Sequence, residues 1–315
     1  MPDILFIKTS SLGDVIHHMP ALTEARAARP AVRFAWLVEE AFAPLARLHP
    51  GVDVVMPVAL RRWRRSLHAP STWAEVRRAW RALRSVKYDQ VIDTQGLLKT
   101  GVLARIAQGT RHGYDSASIR EPLASSFYDV RHTVSRDLHA VQRNRILTGL
   151  ALGYEPKGAP DFGLDRARFR AGGKRYAVLL HATAQARKEW PVDHWIALGR
   201  DIQRGGVEVV LPWGTDVERA RSEQIAAALP GARVPERAPL DQVAQLIGGA
   251  QYVVGVDTGL LHLAAALGVP LVAIFAGSTR QLTAPVGNGP LTVLGADGAP
   301  PKVDEVIAAV AKISG

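Results

Sequence analysis

The sequence predicts an α/β protein made of two doubly wound domains. Three observations lead there. Short apolar runs of strand character alternate with helical periodicities along most of the chain, and that alternation implies parallel strands covered on both faces. The rhythm breaks at residues 154–174, YEPKGAPDFGLDRARFRAGGK, where Pro and Gly cluster with mixed charge. The chain has 315 residues, too many for one ordinary core and suited to two of roughly 150 each. Domains are therefore expected at 1–160 and 175–315, joined by a linker at 161–174.

The elements follow in order. DILFIK (3–8) is an apolar run closed by the turn-like TSSLGD, which reads as a buried strand. VRFAWLV (32–38) and VDVVMP (52–57) read likewise. Over 71–85, Trp73, Val76, Trp80 and Leu83 recur at spacings of three and four, predicting a helix with those side chains on its apolar face. YDQVID (88–93) is a strand, and TQGLLK opens a helix to about Ala107. After the break come the strands YAVLL (176–180), VEVVL (207–211), YVVGV (252–256) and VPLVAIF (269–275). The helices expected between and after them are 192–204, stopped by Gly205-Gly206, then 216–229, 240–248, 257–267 and 303–313. In such sheets ligands bind beyond the carboxyl ends of the strands, so the loops there are the ones to search.

Composition narrows the function classes. With 22% charged and 47% hydrophobic residues the chain is globular rather than disordered. Cysteine is absent, which excludes disulfides and thiolate metal sites and fits a reducing compartment. The start, MPDILFIKTSSLGD, has no basic region before its short apolar run, which argues against a signal peptide. No apolar stretch approaches the roughly 18 residues of a spanning helix. Net charge is +10, of which +9 falls on residues 1–160 and +1 on residues 161–315. The first half thus suits a polyanion, an anionic lipid surface, or a phosphorylated or carboxylated substrate, unless it is merely an Arg-rich soluble surface.

Four motifs could carry chemistry. In VVGVDTGLLHLAAALGVP (253–270) a strand ends where Asp257 and Thr258 stand at the cap of a slim helix. Gly259 permits close backbone approach, and His262 lies one turn in. A helix N-terminus after a strand is an anion site, suited here to a diphosphate; an ordinary capped helix with a packed histidine is the alternative. In LLHATAQARKEWP (179–191), Thr183 and Lys188 follow a strand, where a hydroxyl and an ammonium can hold phosphate oxygens. The lysine would stabilise charge on a departing diphosphate or be a solvated loop residue. In IKTSSLGDVIHHMPA (7–21), Lys8, Thr9, Ser10 and Ser11 follow the first strand, and Asp14 stands at the loop-to-helix junction. Asp14 is a helix cap or a general base facing a cleft, and Pro20 leaves the start of this helix open. In ALRRWRRSLHAP (59–70), Arg61, Arg62, Arg64 and Arg65 flank Trp63. That cluster is a carboxylate- or phosphate-gripping loop, a nucleic-acid patch or a solvated charge run. Arg120 could join it. Asp93, Gln95 and Lys99 form a further polar loop at a strand end. Walker, GxGxxG, HExxH and GxSxG patterns are absent, as is any metal-ligand spacing.

These residues resemble a known family. KTSSLGDVIH (8–17), VEEAFA (38–43), RRWRR (61–65), VIDTQGLLK (91–99), REPLASSFY (120–128), LHAT (180–183), LPWG (211–214) and VDTGLLHLAAAL (256–267) run almost end to end in the order found in the bacterial lipopolysaccharide heptosyltransferases of glycosyltransferase family 9. The heptosyltransferase I members are the most similar. The resemblance implies a GT-B fold, with two Rossmann-like domains facing a central cleft. It implies an inverting transfer of heptose from ADP-heptose, bound by the second domain, to the Kdo of Kdo-lipid A, bound by the first, with no metal or other cofactor. It also implies roles for single residues. Asp14 matches the general base. Lys188 and the Thr258-Gly259 amides match the stabilisers of the leaving diphosphate. Thr183, Ala184, Asp257 and His262 match donor positions, and Glu218 an acidic residue near the ribose. Lys8, Ser10, Arg61, Arg62, Arg64, Gln95, Lys99 and Arg120 match acceptor-side positions. Ala184 departs from the family, which often has a second threonine there, so one donor hydroxyl is missing.

The expected setting is cytoplasmic, peripheral at the inner face of the inner membrane, with an anionic membrane surface as partner and neither nucleic acid nor an obligate protein partner. Alternatives are a heptosyltransferase II or III acting on a later core sugar, a nucleotide-sugar epimerase on the same fold, and a nucleic-acid binder. Against the last stands the lack of interleaved surface aromatics beyond Trp63.

Overall fold

The computed structural model describes residues 3–169, 175–183, 185–277, 282 and 284–314. The chain divides into two compact units, Met1–Gly163 and Leu164–Gly315.

The first unit runs β1 (Asp3–Ile7), α1 (Leu12–Ala28), β2 (Arg33–Glu39), α2 (Ala43–Ala46), β3 (Val54–Val58), α3 (Leu60–Arg65), α4 (Pro70–Arg84), β4 (Lys87–Asp93), α5 (Leu98–Ile106), β5 (Gln108–Tyr114), β6 (Val130–His132) and α6 (Ala140–Leu152). Its sheet has the order β3-β2-β1-β4-β5-β6, with every pair parallel. This is the doubly wound order in which the chain reverses direction between the first and fourth strands. β1 is buried at every position because helices cover both of its faces. Helix α1 runs straight through Pro20, which is buried inside it, so the proline marks no boundary.

The second unit runs β7 (Tyr176–Leu180), α7 (Val192–Arg204), β8 (Glu208–Val210), α8 (Asp216–Ala227), α9 (Leu240–Gly249), β9 (Tyr252–Val256), α10 (Gly259–Ala266), β10 (Leu271–Phe275), β11 (Leu291–Gly295) and α11 (Val303–Ile313). Its parallel sheet has the order β11-β10-β9-β7-β8. That is the other doubly wound order, with its reversal between β7 and β9. The core under α7 and α11 holds Trp190 and Trp195, fully buried and edge-to-face with centroids 5.0 Å apart. Trp190 Nε1 donates to the Pro301 carbonyl at 3.0 Å, so the large ring leaves no unpaired donor.

Part of the expected linker belongs to the second unit. Arg166 donates to the carbonyls of Gly248 and Ala250 at 3.1 and 2.7 Å, and Phe169 packs on Gly248.

Three other expectations change. β5 (QGTRHGY) and β11 (LTVLG) are strands that the apolar runs do not predict, because β5 is polar and glycine-rich and β11 is a half-buried edge strand set among Gly- and Pro-rich turns. The arginine cluster is a helix, α3, rather than a loop, and Trp63 inside it is buried. In α4 the packed face is Thr72, Val76, Ala79 and Leu83, whereas Trp73 and Trp80 are each 49% exposed. The periodicity marked the helix correctly but not its orientation, because the two indoles sit at the edge of the apolar arc.

Candidate functional site

Each unit gathers polar side chains at the switch point of its sheet. In the first, the loops after β1 and β4 meet there. Gln95 Oε1 accepts from the amides of Thr9 and Ser10, both at 3.1 Å, and pins one loop to the other. Gly96 permits the turn: its φ is +69°, and a Cβ there would stand 2.9 Å from Ile119. Trp36 Nε1 donates to the Lys8 carbonyl at 3.1 Å and fixes the loop from below.

Lys8 is buried at this crossing. Its Nζ donates to the Thr94 carbonyl at 2.8 Å and to Asn144 Oδ1 at 3.3 Å. Burial pushes its ammonium down from the ordinary lysine range, opposed by the charges of Asp14 and Asp93. Lys99 Nζ reaches Ser10 Oγ at 3.3 Å.

Asp14 is the third residue of α1, and Ser11 is the cap. Asp14 Oδ2 accepts from the Ser11 amide at 2.7 Å and from Ser11 Oγ at 3.0 Å. One carboxylate oxygen thus holds the helix start, and the other accepts no bond among the described residues. The capping role and a base role are therefore compatible. Asp14, Lys8, Gln95 and Arg120 line one small cavity of about 140 Å³.

Three further polar residues of that cavity are not singled out by any sequence motif: Tyr114, Arg143 and Asn144. Arg143 lies on α6 with its guanidinium 4.7 Å from the centre of the Tyr114 ring, and it donates to the Ser118 carbonyl. Its Nε is buried without a partner among the described residues. The signal available was the run QRNR in an otherwise apolar helix, of which Asn144 and Arg145 are buried.

The remaining first-unit residues are placed as follows. Asp93 is a buried anchor, accepting from Tyr128 OH at 2.7 Å and the Gln95 amide at 2.8 Å. Burial raises its carboxyl pKa, and those hydrogen bonds hold it down. Arg62 is clamped by Glu40 at 2.9 Å and by Glu75 at 2.9 Å, so it is no free anion grip. Arg61 lies over the Phe42 ring at 5.4 Å. Arg64 is exposed on α3. None of these three arginines lines the Asp14 cavity.

In the second unit the loops after β7 and β9 meet. Gly255 brings the strands together, since a Cβ there would stand 2.8 Å from Leu180 Cβ. Lys188 Nζ lies 2.6 Å from Asp257 Oδ2, with the two side chains 19% and 9% exposed. Thr183 Oγ1 donates to the Asp257 carbonyl at 3.1 Å. Thr258 is the N-cap residue of α10, but its hydroxyl makes no bond to the helix amides. His262, one turn in, is buried. A hydroxyl, an ammonium and a helix N-terminus thus converge, the arrangement that holds phosphate oxygens. Ala184 lies outside the described residues.

Glu218 caps α8: its Oε2 accepts from the amides of Gly214 and Thr215 at 2.7 and 3.2 Å. In the same unit a cleft of about 850 Å³ is lined by Trp213, Pro235, Glu236, Ala238 and Gln242. Among the described residues no group of three or more His, Cys, Asp or Glu is placed to hold a metal ion.

The chain is similar along most of its length to proteins of one family. The profile of glycosyltransferase family 9 (heptosyltransferase) matches residues 76–308. Lipopolysaccharide heptosyltransferase 1 of Pseudomonas aeruginosa is 45% identical over 90% of this chain and 81% of its own length. The E. coli heptosyltransferase WaaC solved with ADP superposes with a TM-score of 0.92 at 38% identity, covering 98% of this chain and 99% of that one. The same E. coli protein solved with ADP-2-deoxy-2-fluoro heptose gives a TM-score of 0.87 over 98% of both chains, also at 38% identity. The two Rossmann-like units are those of a GT-B-like fold, and the chain belongs to glycosyltransferase family 9, the heptosyltransferases.

Proposed function

We propose that this heptosyltransferase moves L-glycero-D-manno-heptose from ADP-heptose to the Kdo of Kdo-lipid A, with inversion at the anomeric carbon. The observation that carries the donor is the convergence of Thr183, Lys188 and the α10 N-terminus at the switch point of the second unit. A relative of the same fold is solved with a fluorinated ADP-heptose. Lys188 and the Thr258 and Gly259 amides take the diphosphate, with His262 behind them. The Trp213–Glu236 cleft and Glu218 offer an aromatic wall and carboxylates to the adenosine.

The acceptor is read from the first unit. Lys8, Arg120 and Arg143 surround one cavity and suit the Kdo carboxylate. Asp14, in the same cavity, takes the proton of the attacking hydroxyl. That oxygen forms a bond to the anomeric carbon while the bond from that carbon to the β-phosphate oxygen breaks. The pair of electrons leaves with ADP, whose charge Lys188 and the helix amides stabilise. No helix among the described residues is long and apolar enough to cross a membrane, so work at the inner face of the inner membrane would be peripheral.

Competing acceptors test the reading. Given ADP-heptose, the protein should release ADP faster with a Kdo-only lipid A analogue than with one already heptosylated. The reverse preference would move the acceptor to a later core sugar.

A further inference from the structure

The first unit carries a surface that this chemistry does not use. In α4, Trp73, Arg77, Trp80 and Arg84 stand at i, i+4, i+7 and i+11, which puts them on one stripe of the helix. The stripe lies beside the packed face rather than on it. Both indoles are half exposed. Trp73 Nε1 donates to the Leu67 carbonyl at 2.8 Å, so its ring is held in place with Leu67 exposed nearby. Arg77 and Arg84 are exposed and form no ion pair among the described residues. Glu75, the single acid of α4, is engaged by Arg62 and by Trp63 Nε1 on the other flank. Helix α5, in contact with α4, leaves Leu98 and Val102 exposed one turn apart.

Exposed tryptophans interleaved with unpaired arginines and no acid match one chemistry well. Indole rings settle at the headgroup level of a bilayer, and guanidinium groups pair with lipid phosphates. We infer that the Trp73–Arg84 stripe of α4 docks the first unit on an anionic phospholipid surface. The inference deepens the proposed function and rests on it for one point, that the acceptor is carried by a lipid. Nucleic acid would bring phosphates to the same arginines and bases to the same indoles. The surface aromatics whose lack in the sequence argued against it stand here, with Trp63 buried instead; the lipid is preferred because the proposed acceptor is carried by one. Half-exposed rings along a single helix flank fit a fluid interface better than a dry pocket.

Flotation of the full chain with vesicles tests it. At physiological salt the wild type should bind phosphatidylcholine vesicles containing phosphatidylglycerol and leave pure phosphatidylcholine vesicles. The pair Arg77→Gln and Arg84→Gln should bind about 30-fold more weakly, the factor that about 1 kcal/mol per basic residue at an anionic surface gives. The pair Trp73→Ser and Trp80→Ser should lose about tenfold. Both pairs should turn over a deacylated, water-soluble acceptor like the wild type, which shows that they fold. Wild type that ignores anionic vesicles, variants that bind them undiminished, or binding of RNA in place of vesicles would overturn the docking surface. Failure of the acceptor reading looks different: the soluble acceptor would not be used by any form, whatever the vesicles show.

Discussion

Lys188 Nζ lies 2.6 Å from Asp257 Oδ2, so the ammonium of the second-unit site is held by a carboxylate at the mouth of α10. This pair comes from the loops after β7 and β9, which the sheet order makes neighbours. The acid holds the lysine beside the helix N-terminus, where the proposed function puts the diphosphate.

Removing the ammonium should weaken donor binding and slow transfer together. Lys188→Ala is expected to raise the Kd for ADP by about 10- to 100-fold, the range of one charge-assisted hydrogen bond. Calorimetry with ADP checks the binding part. Unchanged ADP affinity would show that Lys188 does not reach the diphosphate.

Asp14→Asn should act on turnover and spare the donor. The asparagine can still accept from Ser11 at its side-chain oxygen, so the cap survives while the base is lost. Turnover is expected to fall by about 10² to 10⁴, with the Kd for ADP nearly unchanged. Near-wild-type turnover would remove Asp14 from the mechanism.

Arg143, found only in three dimensions, should contribute to acceptor binding. Arg143→Ala is expected to raise the KM for the Kdo acceptor by about tenfold or more, since it removes a charge-assisted contact to a carboxylate. The donor KM should hardly move, because Arg143 belongs to the other unit. Equal effects on both substrates would argue for general damage instead.

Tyr128→Phe should destabilise the first unit without touching chemistry directly. It removes the 2.7 Å hydrogen bond to Asp93, which is fully buried. Leaving that carboxylate under-satisfied costs about 1.5–3 kcal/mol, readable in denaturant unfolding.

Acid should destabilise the fold through buried neutral histidines. Burial holds His49 and His181 down to about 4 from an ordinary 6.5. Between those values the unfolded chain binds more protons, so stability falls as pH drops from 6.5 towards 4. The slope reaches about 1.4 kcal/mol per pH unit for each histidine. His181→Gln should flatten the fall in Tm over that window; an unchanged slope would show that His181 does not drive it.

How much of this was legible in the sequence depended on how local the signal was. The strand–loop–helix grammar of 176–190 and 252–267 is enough by itself to put Thr183, Lys188 and Asp257 at strand ends. Their meeting depends on β7 and β9 pairing, which no local pattern encodes. Asp14 and Lys8 were legible for the same reason. Tyr114, Arg143 and Asn144 were not, because they reach the cavity from β5 and α6, far along the chain. Trp73 and Trp80 had the right period and the wrong side. A helix that is rotated slightly buries its neighbours Val76 and Leu83 and leaves the indoles out.

The central claim is transfer of heptose to Kdo with Asp14 as base. The measurement that tests it most directly is product analysis after wild type and Asp14→Asn are each given ADP-heptose and a deacylated Kdo-lipid A. The account predicts one heptose added to Kdo, inverted at the anomeric carbon relative to the donor, with the Asn variant making the same product about 10² to 10⁴ times more slowly. ADP appearing without a heptosylated product, or an equal rate from both forms, would contradict it.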